Sequence, residues 1–173
     1  FGLPAIHLTD LKYNDTQTLV LCPTRELCIQ IAKDIAKYSK YLNGINILAV
    51  YGGSDIKTQI RSLNKGAHIV IGTPGRTKDL IKRKKLNISR IARIILDEAD
   101  EMLTMGFKED LEMILSHTPK EKQTLLFSAT MSNKVVAITQ SYMNDPMKIA
   151  AAQMNITAEN VKHIYYMVNA KER

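Results

Sequence analysis

Five short runs of consecutive apolar, mostly β-branched or leucine residues constrain the fold of this chain more than any other feature. Because apolar and polar residues do not alternate within them, the runs are typical of strands covered on both faces, as in a parallel sheet. A segment with helical features follows each run, so strand and helix alternate along the chain. The predicted strands span residues 18–22, 46–50, 68–71, 93–96 and 124–127.

The segments between these runs carry helical periodicity. Apolar residues at spacings of three and four form a stripe on a helix predicted over residues 24–42: Leu27, Ile31, Ile35, Tyr38 and Leu42. A second stripe covers residues 107–115, and weaker helices are predicted after Ser54, Pro74 and Ser132. We therefore expect an α/β fold with right-handed crossovers, a last strand at 161–168 and a polar end at 169–173.

Composition limits the protein class. With 173 residues, 45% of them hydrophobic, the chain is long enough for one domain that needs no disulfide to stabilise its core. Its two cysteines, Cys22 and Cys28, complete no zinc pattern and are expected to be buried apolar residues. No apolar run approaches the roughly 18 residues of a membrane span, and the first residues lack a signal-peptide pattern. We expect a cytoplasmic protein with no membrane partner.

The charge balance favours a polyanionic partner. There are 24 Lys and Arg residues against 17 Asp and Glu residues, which gives a net charge of +7. Eight of the basic residues lie between Arg76 and Arg93, where Asp79 is the only acid. Charge counting alone explains this run equally well as the solvated face of a surface helix.

Polar residues follow every predicted strand, and ligands of open α/β sheets bind at those carboxyl ends. After the fourth strand come Asp97 and Glu98. A carboxylate at the end of a buried strand is costly unless it is paired, caps a helix or faces a metal. Phosphoryl-transfer sites place an Asp there to hold hydrated magnesium. Helix capping and a nucleotide site both remain open at this point.

Two other turns combine a helix start with an arginine. Thr24 precedes Arg25, and Thr73 precedes Arg76 by three residues. Backbone N–H groups at a helix start, with a hydroxyl and a guanidinium alongside, bind anions. Capping explains the threonines but not an arginine in the same kind of turn twice. Gly52 and Gly53 could form a tight turn only, or could let a sugar–phosphate backbone approach closely. Together these turns suggest a track for a nucleic-acid strand.

Taken in order, these motifs resemble the N-terminal RecA-like domain of DEAD-box ATP-dependent RNA helicases, and their wording is most similar to bacterial members. The motifs are Pro23-Thr-Arg-Glu-Leu27, Gly52-Gly53, Thr73-Pro-Gly-Arg76, Asp97-Glu-Ala-Asp100 and Ser128-Ala-Thr130. The resemblance implies a RecA-like α/β parallel sheet with helices on both faces, over residues 1–168. Residues 169–173 would begin the linker to a second RecA-like domain, a partner in the same protein.

The resemblance also implies roles. Asp97 would hold Mg²⁺ through water, and Glu98 would position or deprotonate the water that attacks ATP. Four residues would couple the nucleotide state to domain closure: Asp100, Ser128, Ala129 and Thr130. RNA would be contacted along its backbone, with little sequence specificity. The residues implied to line it are Pro23, Thr24, Arg25, Gly52, Gly53, Thr73, Pro74, Gly75 and Arg76.

Two departures from the family pattern matter. The phosphate-binding pattern Gly-x-x-x-x-Gly-Lys-[Ser/Thr] is absent from the sequence, and we expect the chain to begin just downstream of it. The 173 residues also contain no second RecA-like domain, which we expect to lie further along the protein. This chain alone should therefore bind RNA weakly and hydrolyse no ATP. A non-hydrolysing RNA-binding or scaffold module remains possible, as does a DNA translocase of the same superfamily. Asp100, where DEAH-type relatives have histidine, disfavours the translocase.

Overall fold

The computed structural model describes residues 1–150, and its centre is a five-stranded, all-parallel sheet. The strands lie in the order β2-β3-β1-β4-β5. All five predicted strands are confirmed to within one residue at either end. Their bounds are β1 Thr18–Leu21, β2 Ile47–Val50, β3 Ile69–Gly72, β4 Arg93–Leu96 and β5 Gln123–Leu126.

Helices cover both faces of the sheet, as expected. Helices α1 (Gly2–His7) and α2 (Arg25–Tyr38) pack on one face, against alternate strand residues such as Val20 and Ile95. The intervening residues, such as Leu19 and Ile94, face a second apolar core on the opposite side. That core is covered by α3 Ile56–Leu63, α4 Pro74–Lys82, α5 Ala99–Thr104, α6 Lys108–Ser116 and α7 Asn133–Tyr142.

The central strand β1 is buried along its whole length. All four of its residues are fully buried, including Thr18. Burying one Leu or Val side chain stabilises the fold by about 1.5–3 kcal/mol. Each face of β1 contacts a different layer of helices, which explains why Leu19, Val20 and Leu21 are consecutive apolar residues.

Helix α2 is shorter than its apolar stripe predicted. It begins after Thr24 but ends at Tyr38, and Tyr38 and Leu42 are about half exposed. The chain leaves the helix at Ser39 and turns at Gly44, whose φ of +92° is a left-handed conformation. The four-residue spacing of Leu42 was therefore coincidental, because the helix had already ended.

The basic run from Arg76 to Arg93 does not stay beside the candidate site. Helix α4 starts at the carboxyl edge of the sheet and carries the run to the opposite edge, where β4 begins at Arg93. There Arg90 contacts Asp15, in the segment that leads into β1, with an Nη1–Oδ2 distance of 2.8 Å. Most of the run therefore lies at the amino edge of the sheet.

The two cysteines are free and fully buried, as expected. A hydrogen bond with Cys28, together with burial, raises the pKa of the Cys22 thiol, so Cys22 behaves as an apolar core residue. Within residues 1–150, none of the helices has the length and apolar character to cross a membrane. The predicted strand at 161–168 and the linker start at 169–173 lie outside the described residues.

Candidate functional site at the carboxyl edge of the sheet

All the predicted site residues lie along one edge of the sheet, directly after the strands. The last residues of the five strands are in register, so every following turn starts at the same level. The hydrogen-bond ladder continues into these turns: Thr73 N donates to Val50 O, Cys22 N to Gly72 O and Asp97 N to Leu21 O, at 2.9–3.1 Å. Backbone bonds to the sheet therefore hold the turns in a fixed order.

The turn after β1 presents Arg25 at the start of α2. Thr24 caps the helix, since its Oγ1 accepts a hydrogen bond from Leu27 N at 3.2 Å. Arg25 is exposed, and its guanidinium lies 5.1 Å from the centre of the Tyr51 ring. The face of the ring attracts the guanidinium by a cation–π interaction but does not neutralise its charge. Pro23 is buried, so it can direct the backbone here but cannot offer its side chain to a ligand.

The turn after β2 contains Gly52 and Gly53, both exposed. Gly53 has φ +76°, which explains why a glycine stands there. A Cβ on Gly52 would meet no atom within 4 Å, so nothing within the described structure requires glycine at that position. Neither crowding nor a positive φ therefore explains the glycine at position 52. That Gly52 lets a ligand approach the chain closely stays a prediction.

The turn after β3 leads into α4. Thr73 is the N-cap residue, but its hydroxyl makes no capping bond, and Pro74 is the buried first residue of the helix. Gly75 faces the Asp110 carboxylate, which is paired with Lys78. Arg76 is half-buried and donates from Nη1 to Gln59 Oε1 at 2.9 Å and from Nη2 to Ser54 O at 3.1 Å.

Asp97 follows β4, next to the end of the central strand β1. It is half-buried, and desolvation raises the pKa of its carboxyl group above the ordinary value. No ion pair joins it to a Lys, Arg or His among residues 1–150. An added cation would stabilise a carboxylate in this position, because no basic side chain among residues 1–150 is paired with it.

Glu98 has a left-handed backbone, with φ 52° and ψ 52°, at the N-cap position of α5. Residues other than glycine rarely adopt this backbone conformation, which costs about 1–2 kcal/mol. Glu98 makes no capping bond and its side chain is exposed. The helix-capping explanation therefore fails for Glu98, and the strained backbone projects its carboxylate from the edge of the sheet.

Asp100 and the segment after β5 form a small hydrogen-bond network. Thr130 donates to Asp100 Oδ2 from both N (2.9 Å) and Oγ1 (2.8 Å). Ser128 Oγ accepts from Asp100 N and donates to Thr130 O. Burial raises the pKa of Asp100, but these hydrogen bonds outweigh it and lower the pKa overall. Ala129 is exposed between its two polar neighbours and takes part in none of these bonds.

The carboxylates do not assemble into a metal site made of protein groups alone. Within the described part of the chain, no cluster of three or more His, Cys, Asp or Glu side chains could hold a metal ion. Asp97 and Glu98 nevertheless offer hard oxygen ligands, which suit Mg²⁺ when water and phosphate oxygens complete its coordination.

Comparison with known proteins identifies the family of this chain. The family model described as DEAD/DEAH box helicase matches residues 1–138. The chain belongs to the DEAD/DEAH box helicase family. It is 47% identical over 173 residues to the ATP-dependent RNA helicase CshA of Listeria monocytogenes, matching all of this chain and 33% of that protein. It is 45% identical over 172 residues to the ATP-dependent RNA helicase DeaD of Buchnera aphidicola, covering 99% of this chain and 29% of that protein.

A solved structure shows the same fold. The crystal structure of a DEAD box protein from the hyperthermophile Methanococcus jannaschii superposes with a TM-score of 0.76 and 44% sequence identity. The match covers 84% of this chain and 39% of the other. The parallel sheet of this DEAD-box chain is thus RecA-like, as the motifs implied. The chain spans about a third of the length of the curated relatives it matches.

Three residues of the edge were missed by sequence reasoning. Gln59 and Ser54 bind Arg76, and Gly72 ends β3 where a Cβ would lie 2.1 Å from Thr77 Oγ1. Gly72 directly precedes the Thr73-Pro-Gly-Arg76 motif, and this position next to the motif is the signal that could have identified it. Nothing in the sequence marks Gln59, which is a polar residue in a helix of mixed composition.

Proposed function

We propose that the full-length protein is an ATP-dependent RNA helicase and that residues 1–168 form its first RecA-like domain. Under this proposal the linker to the second domain begins at 169, and the protein acts in the cytoplasm. The names of the relatives support the activity, since CshA and DeaD are ATP-dependent RNA helicases. The site supports it independently, through the arrangement of its charges.

One observation carries the proposal: the edge has a cationic side and an acidic side, and the proposed ligand-binding charges of each side form no ion pair with a side chain of the described residues. Arg25 and Arg76 form no ion pair within residues 1–150, and neither do Asp97, Glu98 and Asp100. The turns after β2, β3 and β1 lie side by side over two strand spacings, about 10 Å. The acidic turn after β4 is one strand further. A polyanion suits the first side, and a cation suits the second.

The cationic side suits the backbone of an RNA strand. Arg25 and Arg76 would contact phosphates, as would the free hydroxyl of Thr73 and the helix start at Gly75. Thr24 would contribute mainly by fixing the start of α2. Gly52 and Gly53 would allow the strand to come close to the chain, while Pro23 and Pro74 would set the direction of the backbone. Such contacts read no bases, so binding should be largely independent of sequence.

The acidic side suits ATP hydrolysis. Asp97 would hold Mg²⁺ through water, and the ion would neutralise developing charge on the phosphate oxygens. Glu98, exposed and aimed outward by its left-handed backbone, would orient or deprotonate the attacking water. Asp100, Ser128, Ala129 and Thr130 would couple this corner to closure of the second RecA-like domain, through the bonds to Asp100.

The experiment is an ATPase assay of the full-length protein with single-stranded RNA or with DNA of the same sequence, followed by a strand-separation assay on a short RNA duplex. The proposal predicts hydrolysis that RNA stimulates and DNA does not, with ATP-dependent duplex separation. RNA binding without hydrolysis would instead identify a scaffold module. Equal stimulation by DNA would identify a DNA translocase.

A further inference from the structure

Gln59 links two of the cationic turns, although no sequence motif marks it. It lies on α3 and is 7% exposed. Its Nε2 donates to Tyr51 O at 3.1 Å and to Ser54 Oγ at 2.5 Å, on either side of the Gly52–Gly53 turn. Its Oε1 accepts from Arg76 Nη1 at 2.9 Å. One amide therefore joins the turn after β2 to the arginine of the turn after β3.

The chemistry of this link is specific. A guanidinium has five N–H donors, and Arg76 uses two of them, on Gln59 and on Ser54 O, so three are not used in these bonds. A carboxylate in place of Gln59 would orient the guanidinium equally well but would cancel its charge. The neutral amide fixes the direction of Arg76 and leaves its positive charge available.

Packing alone does not explain a buried glutamine here. The other inward residues of α3, Ile56, Ile60 and Leu63, are apolar and pack against the larger core. A buried amide is tolerated only because all its polar atoms find partners, and each of those partners belongs to the two turns or to Arg76. The contacts of Gln59 are thus directed at the edge of the sheet.

We propose that Gln59 is a positioning residue of the RNA track. It holds Arg76 and the Gly52–Gly53 turn in one arrangement, so that the guanidinium and the glycine backbone meet the same nucleic-acid strand. The inference rests on the proposed RNA-binding function and adds a residue to which that function assigned no role.

The test measures binding of a labelled single-stranded RNA to the full-length protein across a series of salt concentrations. Gln59→Glu should weaken binding about tenfold and lower the salt slope by about 0.7, because the new carboxylate cancels one phosphate-binding charge. Gln59→Leu should weaken binding without changing the slope, because the charge of Arg76 remains but is no longer oriented. Gln140→Glu, at an exposed position on α7, makes the same charge change as a control and should leave binding as in wild type.

A double-mutant comparison separates positioning from general stability. In an Arg76→Gln background, Gln59→Leu should lower RNA affinity by a smaller factor than it does in the wild type, since only its hold on the Gly52–Gly53 turn is left to lose. The proposal would be overturned if the fold-losses in RNA affinity caused by Arg76→Gln and Gln59→Leu simply multiplied in the double variant. It would also be overturned if Gln59→Glu kept the RNA affinity and the salt slope of the wild type. If Gln59→Leu fails to fold, the near-isosteric Gln59→Glu decides alone.

The outcomes also separate this inference from the proposed function. Loss of RNA affinity in Arg25→Ala, with no loss in either Gln59 variant, would refute this inference only. No RNA binding by the wild type would refute the proposed function.

Discussion

The cationic and acidic sides of the carboxyl edge use different means to keep their charges available. On the cationic side, neutral groups orient the arginines: the Tyr51 ring lies against Arg25, and Gln59 binds Arg76. On the acidic side, Asp97 is partly desolvated and Glu98 is held in a strained backbone. Elsewhere in the described chain two arginines are paired with carboxylates, Arg83 with Asp79 and Arg90 with Asp15.

The contrast lies in what holds each arginine. Arg83 and Arg90 bind carboxylates, whereas Arg25 and Arg76 are oriented by neutral groups and form no ion pair within residues 1–150. The two sides adjoin at β1 and β4, whose turns share the backbone bond from Asp97 N to Leu21 O. A ligand on one side therefore lies one strand spacing, about 5 Å, from the turn that carries the other.

The largest predicted effect tests the acidic side. In the full-length protein, Glu98→Gln should slow ATP hydrolysis by about 10²- to 10⁴-fold, because a positioned general base contributes that much. RNA and ATP binding should persist, since the shape of the side chain is kept. Steady-state ATPase and RNA-binding assays measure both quantities.

Glu101→Gln is the matched control, since Glu101 is an exposed glutamate in the first turn of the same helix. It should hydrolyse ATP at the wild-type rate. A Glu98→Gln turnover within threefold of wild type would remove Glu98 from catalysis and leave its strained backbone unexplained.

The next effect tests close approach on the cationic side. Gly52→Ala should weaken RNA binding by about tenfold, or roughly 1.4 kcal/mol, because the added methyl group stands where the strand approaches. Folding should be unaffected, since that methyl group meets no protein atom within 4 Å. Gly53→Ala should instead destabilise the fold by about 1–2 kcal/mol through its positive φ. Thermal melting of both variants measures the loss of stability, and RNA titration measures the loss of binding. Unchanged RNA affinity in Gly52→Ala would mean that the RNA strand does not pass close to Gly52.

A smaller effect tests whether the arginines bind phosphate. Arg25→Ala should weaken binding about fivefold for unrelated RNA sequences and should lower the salt slope by about 0.7, the counterion release of one single-strand contact. Arg61→Ala, which removes an exposed arginine at the far end of α3, should leave the slope unchanged. A loss confined to one RNA sequence would mean that Arg25 reads a base.

The sequence predicted the sheet and the order of its turns because both depend on local patterns. Continuous apolar runs specify buried strands, and the first residues after them carry the motifs. The contacts of Gln59 could not be predicted in this way, since they join residues that lie 17 positions apart along the chain. The destination of the basic run was missed for the same reason, because the length of α4 decides which edge of the sheet it reaches. Motif spacing marks the candidate residues of the site, whereas packing determines which groups hold them in place.

The smallest effect contrasts two carboxylates of the acidic side by pH. The raised pKa of Asp97 means that folding opposes its ionisation. Its penalty is absent below the ordinary pKa of 3.8 and complete above the raised value. The lowered pKa of Asp100 has the opposite consequence: its contribution to stability is present above pH 3.8 and is lost as the pH falls through the lowered value.

At pH 7, Asp97→Asn should therefore raise the urea midpoint of this chain. Asp100→Asn should lower its stability by about 1 kcal/mol, a figure reduced for the exposure of the network. Both differences should shrink toward zero as the pH approaches and passes below 3.8. If the two variants shift stability in the same direction at pH 7, then Asp97 has a stabilising partner, and the acidic side does not depend on an added cation.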